Sequence, residues 1–251
     1  MDIEDKKQHI RIIRHACMML NLPFHVCVSS ITLADILFES GVKRKSSLPV
    51  IYAACIFLAS KVQETHQRLR DIINSVFYIV NQLSEEEIEY DLSEQTPDES
   101  NPLYKYMKIF TLQEYTERKD QVFQVEQHIL RVINFDFSIF DAKNYLETIT
   151  KINIEIPADA EFAQLKQLCF GFANDFFMTF PRCSLPSRSI AAGCTYCSIQ
   201  AILSNLDSSN PDVNVIKFKE RLAEFPLKFR AKEEDIVQAC QTILNITQEK
   251  L

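Results

Sequence analysis

With 251 residues, 47% of them hydrophobic, the chain is long enough for one large core or two cores of about 100 residues each. Its net charge of −7 argues against direct binding to nucleic acid, whose phosphate backbone requires a basic surface. Its three glycines, Gly41, Gly171 and Gly193, are far apart, which excludes the glycine-rich loops that cradle phosphates.

The amino terminus is charged and lacks the apolar segment of a secretion signal. No later apolar run reaches the roughly 20 residues that a membrane span needs. We therefore expect a protein that stays inside the cell and does not contact a membrane. Its 8 cysteines should then be reduced.

Cys194 and Cys197 have the spacing of a metal or redox site. A zinc site usually has four ligands, but no second cysteine pair follows and the five histidines are distant in sequence. A thioredoxin-like site would follow a strand, and none is indicated here. We interpret both cysteines as core residues and expect neither a metal nor a cofactor.

The sequence of the first half of the chain predicts a series of helices. Apolar residues at spacings of three and four predict a helix over 6–20, and Pro23 suits the start of a second helix over 23–39, with Gly41 as its C-cap. A fourth helix is predicted over 69–82, after the central helix described next.

The stretch 48–65, LPVIYAACIFLASKVQET, predicts a helix that is apolar on nearly every side. Such a helix must be surrounded by others, and its alanines allow them to approach closely. At its end the chain becomes polar, and a charge at the rim of a dry core needs a partner or water. Lys61 is therefore a candidate functional residue.

Residues 84–102 contain 8 acidic residues, no basic ones and two prolines. This segment cannot form a core, and without it the rest of the chain would carry a net charge of only +1. We predict that this acidic loop is an insertion outside both cores.

Thr111 followed by Glu114 is a capping-box signature, which predicts that a fifth helix begins here. Glu126 lies in the middle of this helix, between the apolar residues Val125 and Ile129.

The second half repeats this organisation. The apolar periodicity of the second half predicts five more helices. The two halves also share a pattern: Leu48-Pro49 precedes Ala53-Ala54, as Leu185-Pro186 precedes Ala191-Ala192. When the acidic insertion is removed from the first half, this match and a second match further along the chain show the same spacing between the two halves. We predict an all-α protein built from a duplicated five-helix unit, with the second set of helices near 141–151, 159–180, 185–203, 214–225 and 232–248.

Three motifs in this order resemble the cyclin family, and its transcriptional members (types C, H, K, L, T and Q) more than the mitotic ones. They are AACIFLASKVQET at 53–65, LRDIIN at 69–74 and VEQHILRVINFDF at 125–137. The resemblance implies two tandem five-helix cyclin boxes, over 1–137 and 138–251. It also implies that the chain is not an enzyme, and no nucleophile with a base, metal triad or phosphate loop is visible in the sequence.

Two positions carry the family's functional residues. Lys61 matches the lysine at the end of the third helix and Glu126 the glutamate of the fifth, which in cyclins form a polar pair that contacts the kinase. Taken alone, a charge at a helix boundary is most often simply solvated. Ile199 and Cys240 stand at the corresponding positions of the second half, so only the first box should bind a kinase.

The resemblance implies a heterodimer with a cyclin-dependent protein kinase that acts in transcription by RNA polymerase II, with polymerase-associated factors as further partners. It places the protein in the nucleus, with the cytoplasm as a second location. The alternative is a cyclin-fold general transcription factor or scaffold that acts without a kinase. Gln63 departs from the family pattern, in which an acidic residue is more usual.

Overall fold

The computed structural model describes residues 3–40, 46–84, 110–140, 142–205, 225 and 227–248, and every regular element in these ranges is helical. The prediction of an all-α protein is confirmed. The α-helices in chain order are α1 (Ile3–Met19), α2 (Phe24–Glu39), α3 (Leu48–Val62), α4 (Leu69–Ser84), α5 (Leu112–Val132), α6 (Lys143–Glu155), α7 (Ala163–Thr179), α8 (Ser187–Asn205) and α9 (Glu233–Gln248).

Some predicted features lie outside the described residues. These are the acidic loop apart from Ser84, the proposed C-cap Gly41, and the predicted helix 214–225 apart from Phe225. The described part of the chain divides into two compact units, Met1–Phe140 and Asp141–Leu251.

Helix α3 is the centre of the first unit, as its composition predicts. It contacts α1, α2, α4 and α5, and ten of its fifteen residues are buried. Ala53, Ala54 and Ala59 are completely buried, and their small side chains allow the neighbouring helices to approach closely. Because a buried aliphatic side chain contributes roughly 1.5–3 kcal/mol, the enclosure of α3 is a major source of stability for this unit.

The polar atom of Tyr52 is accommodated inside this core. Its hydroxyl shares a buried hydrogen bond with Nδ1 of His9 on α1, and the imidazole of His9 also stacks on Phe38 at a centroid distance of 4.5 Å. A buried hydroxyl without a partner would be destabilising, so this bond fixes α1 against α3.

Local capping explains where α3 and α5 begin. Pro49 lies in the first turn of α3, where its missing N–H costs nothing. Thr111 is the N-cap of α5 and forms the predicted capping box: the Glu114 N–H donates to Thr111 Oγ1 at 3.3 Å, and the Thr111 N–H donates to Glu114 Oε2 at 2.9 Å.

Helix α8 has the central place in the second unit, where it contacts α6, α7 and α9. The helix predicted over 159–180 is divided, because a 3₁₀ turn at Ala160–Phe162 precedes α7. Phe162 at the end of this turn is buried and contacts Phe225 edge to face, with ring centroids 5.1 Å apart.

Helices α8 and α9 approach each other closely at Gly193. A Cβ atom at this position would lie 2.7 Å from Cβ of Ala239, which is closer than two carbon atoms can approach without displacement. Gly171 on α7 is the opposite case, because a Cβ there would have no neighbour within 4 Å.

We expect Gly193→Ala to destabilise the second unit by about 1–3 kcal/mol, because α9 must move away from α8. Gly171→Ala is the matched control, and it should be neutral or stabilising by up to about 1 kcal/mol because alanine favours the helix. Urea unfolding of both variants measures the difference. An equal response of the two variants would contradict the close approach.

We also expect the first unit to lose stability in mild acid through His15 on α1. Burial lowers the pKa of this imidazole, and the nearby charges of Arg11 and Arg14 lower it further. The unfolded chain therefore binds a proton at His15 before the folded chain does, and stability falls as the pH drops below the ordinary histidine value of about 6.5. Urea unfolding of His15→Gln should show a smaller loss over this pH range than the unchanged chain.

Candidate functional site

Lys61 lies in the last turn of α3, where the apolar helix reaches the surface. The helix ends because the chain turns back on itself: the N–H of Gln63 donates to Ala59 O at 2.9 Å, and that of Thr65 donates to Ser60 O at 2.8 Å. Glu64 in this turn has a positive φ of 53°. The turn leaves the Lys61 side chain about half exposed, at 48%.

Glu126 lies on the buried face of α5, which packs against α3. Its neighbours on that face are Val122, Val125 and Ile129, all buried, and its own side chain is only 10% exposed. A carboxylate in such surroundings is destabilising unless a positive charge or hydrogen-bond donors lie beside it.

Lys61 supplies that charge. Its Nζ donates a hydrogen bond to Glu126 Oε1, so the two residues that the cyclin resemblance indicates are in direct contact. The pair is asymmetric, because the carboxylate is nearly buried while half of the lysine side chain remains in water. An ammonium group has three donors, so the single bond to Glu126 leaves it able to bind a further acceptor.

Aromatic rings extend the surface around this pair. The Lys61 Nζ lies 4.3 Å from the ring centroid of Phe57, one turn earlier on α3. That ring contacts Phe123 of α5 with centroids 6.1 Å apart, and Lys119 Nζ lies 5.6 Å from the Phe123 centroid. The paired faces of α3 and α5 therefore place aromatic rings, which are enriched in protein interfaces, beside charged groups.

Gln63 has a structural role that the sequence did not indicate. Its Nε2 donates to Ser29 Oγ on α2 at 3.1 Å, which ties the end of α3 to α2. Ser29 is fully buried, so this amide satisfies a hydroxyl inside the unit. An acidic residue could accept the hydroxyl proton but could not donate this bond.

The end of α5 carries apolar residues that sequence reasoning did not select. Phe135 has a positive φ of 57° and is 61% exposed, and Phe137 and Ile139 are also exposed. Asp136 holds the following turn, because its Oδ1 accepts bonds from the N–H and Oγ of Ser138 at 3.0 and 2.6 Å. These bonds lower the pKa of the Asp136 carboxyl. The INFDF sequence in the third motif is the signal from which these exposed apolar residues could have been found.

The corresponding positions of the second unit form no charged pair. Ile199 on α8 is buried and Cys240 on α9 is half-buried. The Cys194 and Cys197 thiols are also buried; burial raises the pKa of Cys194, whereas the neighbouring Cys240 and then burial raise the pKa of Cys197. Within the ranges that the structure describes, no three potential ligands are grouped as a metal ion would require.

Among the described helices, none combines the length and the apolar character that crossing a membrane would require.

Comparison with known proteins shows the family of the chain. The family model described as "Cyclin, N-terminal domain" matches residues 2–138, which include Lys61 and Glu126. A chain of the yeast RNA Pol II CTD kinase CTDK-1 complex has a similar fold, with a TM-score of 0.53 and 14% sequence identity, over 100% of this chain and 78% of that chain.

Curated relatives include cyclin-L2 of Homo sapiens, which is 24% identical over 95% of this chain and 39% of its own length. Cyclin-L1 of Homo sapiens is 26% identical over 76% of this chain and 32% of its own length. The chain thus spans about two-fifths or less of the length of these relatives. Because the family model matches more than half of the chain and the helices form the cyclin fold, the chain belongs to the cyclin family.

Proposed function

We propose that this cyclin is the non-catalytic regulatory subunit of a cyclin-dependent protein kinase, and that it binds the kinase through the surface around Lys61 and Glu126. The observation that carries the proposal is the asymmetric pair, in which a nearly buried carboxylate holds a half-exposed ammonium at the junction of α3 and α5. We also propose that residues 1–137 and 138–251 are two tandem cyclin boxes, of which only the first binds the kinase.

The physical argument begins with what a partner would find at this surface. The ammonium of Lys61 is held in place by Glu126 and Phe57, so little side-chain entropy remains to be lost when a backbone carbonyl binds it. Aromatic rings beside the pair supply apolar contact area, while the charges determine the register of the partner.

Binding at this surface would activate the kinase by a population shift. An active kinase has a glutamate of its regulatory helix paired with its catalytic lysine. A partner that packs only against the inward position of that helix raises the population of the active state. The cyclin needs no catalytic group for this, because differential packing against the two positions is sufficient.

Transcription is the process in which we expect the kinase to act. The LRDIIN motif and the cyclin-L relatives support this, and the structurally similar chain belongs to a complex named as an RNA Pol II CTD kinase. We therefore propose the polymerase tail or related factors as substrates, polymerase-associated factors as further partners, and the nucleus as the location, with the cytoplasm second.

Purification of the tagged full-length protein from its own cells tests the proposal. A kinase recovered in stoichiometric amount would support it. Recovery of polymerase factors without a kinase would instead favour a cyclin-fold general transcription factor or scaffold.

Lys61→Ala and Glu126→Ala should each weaken kinase binding by roughly 30-fold to several thousand-fold, because removing one partner of a desolvated charge pair typically costs about 2–5 kcal/mol. The isolated variants should remain folded. Kinase affinity and activation, measured beside the thermal melt of each free variant, check both expectations. Lys143→Ala, which removes an exposed lysine of the second unit, is the control.

The exchange variant Lys61→Glu, Glu126→Lys separates kinase contact from internal packing. It retains an internal ion pair but presents the opposite charge to the partner, so it should not recover kinase binding. Full kinase activation by this variant, or by a folded Lys61→Ala, Glu126→Ala double variant, would contradict the proposed site.

The purified complex should phosphorylate peptides of the RNA polymerase II tail in preference to mitotic substrate peptides. Rates at equal peptide concentration measure this preference. Phosphorylation of mitotic peptides alone would contradict the role in transcription, without affecting the assignment of a kinase partner.

A further inference from the structure

Helix α6 of the second unit has two different faces. Its buried face, with Tyr145, Thr148 and Ile152, packs against α7 and α8. Its opposite face contains large apolar side chains that remain in contact with water: Leu146 is 41% exposed and Ile154 is 72% exposed. The function proposed above does not use this second face.

An open groove with a volume of about 360 Å³ runs along the exposed face. Leu146, Thr150 and Ile154 line it at intervals of four positions, so they form one row along the helix. The hydroxyl of Thr150 donates to the carbonyl of Leu146 at 2.7 Å. Because this bond satisfies the hydroxyl, Thr150 needs no other polar partner and the whole row is suited to an apolar contact.

Two opposite charges lie on one flank of this row. Glu147 directly follows Leu146 and Lys151 directly follows Thr150, and both side chains are partly exposed. No ion pair joins these two residues within the chain. The hydroxyl of Ser187 donates to Glu147 Oε2 at 2.8 Å, which holds the carboxylate in place, and a carboxylate has a second oxygen that can accept another bond.

The pattern is complementary to itself when a second copy of α6 lies antiparallel to the first. Leu146 precedes Thr150 by four positions and Ile154 follows it by four, so the row is symmetrical about Thr150. In an antiparallel pair centred on Thr150, Leu146 of each copy therefore faces Ile154 of the other.

The charges match in the same register. Glu147 of each copy lies about 3 Å, or two residues along the axis, from the level of Lys151 of the other copy, which a lysine side chain can span. Antiparallel helices bring the same flank of each copy together, so two such pairs form. A parallel arrangement would instead place like charges at the same level, which is unfavourable.

We propose that the exposed face of α6 is a self-association surface, on which two copies of the chain form an antiparallel helix pair about a twofold axis at Thr150. In such an isologous contact every interaction occurs twice, which gives two Leu146–Ile154 contacts and two Glu147–Lys151 ion pairs. A uniformly acidic or basic partner would satisfy only one of the two charges, whereas a second copy satisfies both.

The size of the surface predicts a weak dimer. A helix of 13 residues is about 20 Å long and about 10 Å wide, so the pair covers only a few hundred Å² on each copy. Standard stable interfaces bury about 800 Å² on each partner. We therefore expect an equilibrium that shifts toward monomers on dilution. The surface shares no residue with the proposed kinase site in the first unit.

Sedimentation equilibrium of the full-length chain measures the association. The apparent mass should rise from that of one chain toward that of two as the concentration increases from about 1 μM to about 300 μM. A constant mass of one chain over this range would overturn the proposal.

Ile154→Asp should abolish the rise in mass, because a carboxylate would then face Leu146 of the other copy. Leu244→Asp, which changes an exposed leucine of α9, is the matched control and should associate as the unchanged chain does. Both side chains are exposed, so the thermal melt of neither variant should change. Undiminished association of Ile154→Asp would place the contact elsewhere and overturn the proposal.

Paired charge variants test whether the partner is a second copy. Lys151→Glu and Glu147→Lys each place like charges opposite each other twice, so each variant alone should dimerise about 10-fold more weakly. An equimolar mixture of the two should recover the original affinity, because every charge then faces its opposite. Circular dichroism checks folding, since Glu147→Lys also loses the bond from Ser187. No recovery in a mixture of folded variants would overturn the proposal.

A disulfide crosslink tests the register without altering Glu147. Thr150→Cys places two thiols beside each other at the twofold axis, so mild oxidation should join two chains. Thr116→Cys on α5 is the matched control, because Thr116 is also exposed and also donates its hydroxyl to the carbonyl four residues earlier. Crosslinking of Thr150→Cys should be about 10-fold faster, because its thiols meet at a high effective concentration. Equal rates for the two variants would overturn the proposed register.

Discussion

The first unit depends on the burial of α3, a helix with no polar side on which it could face water. It is enclosed by α1, α2, α4 and α5, and its completely buried alanines allow these helices to approach. The enclosure determines the position of everything at the end of α3. Because the helix leaves the core at Lys61, the first charge on its path lies at the rim of the apolar region, beside α5.

The Lys61–Glu126 pair is a consequence of that arrangement. Glu126 interrupts the apolar face of α5 and would be an uncompensated buried charge if Lys61 did not reach it. The second unit encloses its central helix α8 in the same way, but Ile199 and Cys240 need no counter-charge. One helical arrangement therefore supports a charged surface in the first unit, while in the second a glycine allows α8 and α9 to approach closely.

Most helices could be predicted from the sequence because their signals are local. Apolar periodicity indicated the helices, and the Thr111–Glu114 capping box located the start of α5 to the residue. The differences lie at the starts of helices. Pro23 is the N-cap of α2 rather than a residue of its first turn, and Phe162 ends a 3₁₀ turn instead of continuing α7. Lys61 and Glu126 were selected through the family motifs, since neither is distinctive in isolation.

The sequence by itself determined that the chain is helical, that α3 must be central, and that a charge at its end requires a partner. These properties depend on the spacing of apolar residues and on composition, and both act through interactions between residues that are close in the sequence. The tertiary structure alone decided which groups meet: the amide of Gln63 with Ser29, and the thiol of Cys240 with the carbonyl of Gly193. Such contacts join residues 34 or more positions apart, so they depend on how the helices pack, and helical periodicity contains no information about the partner across an interface.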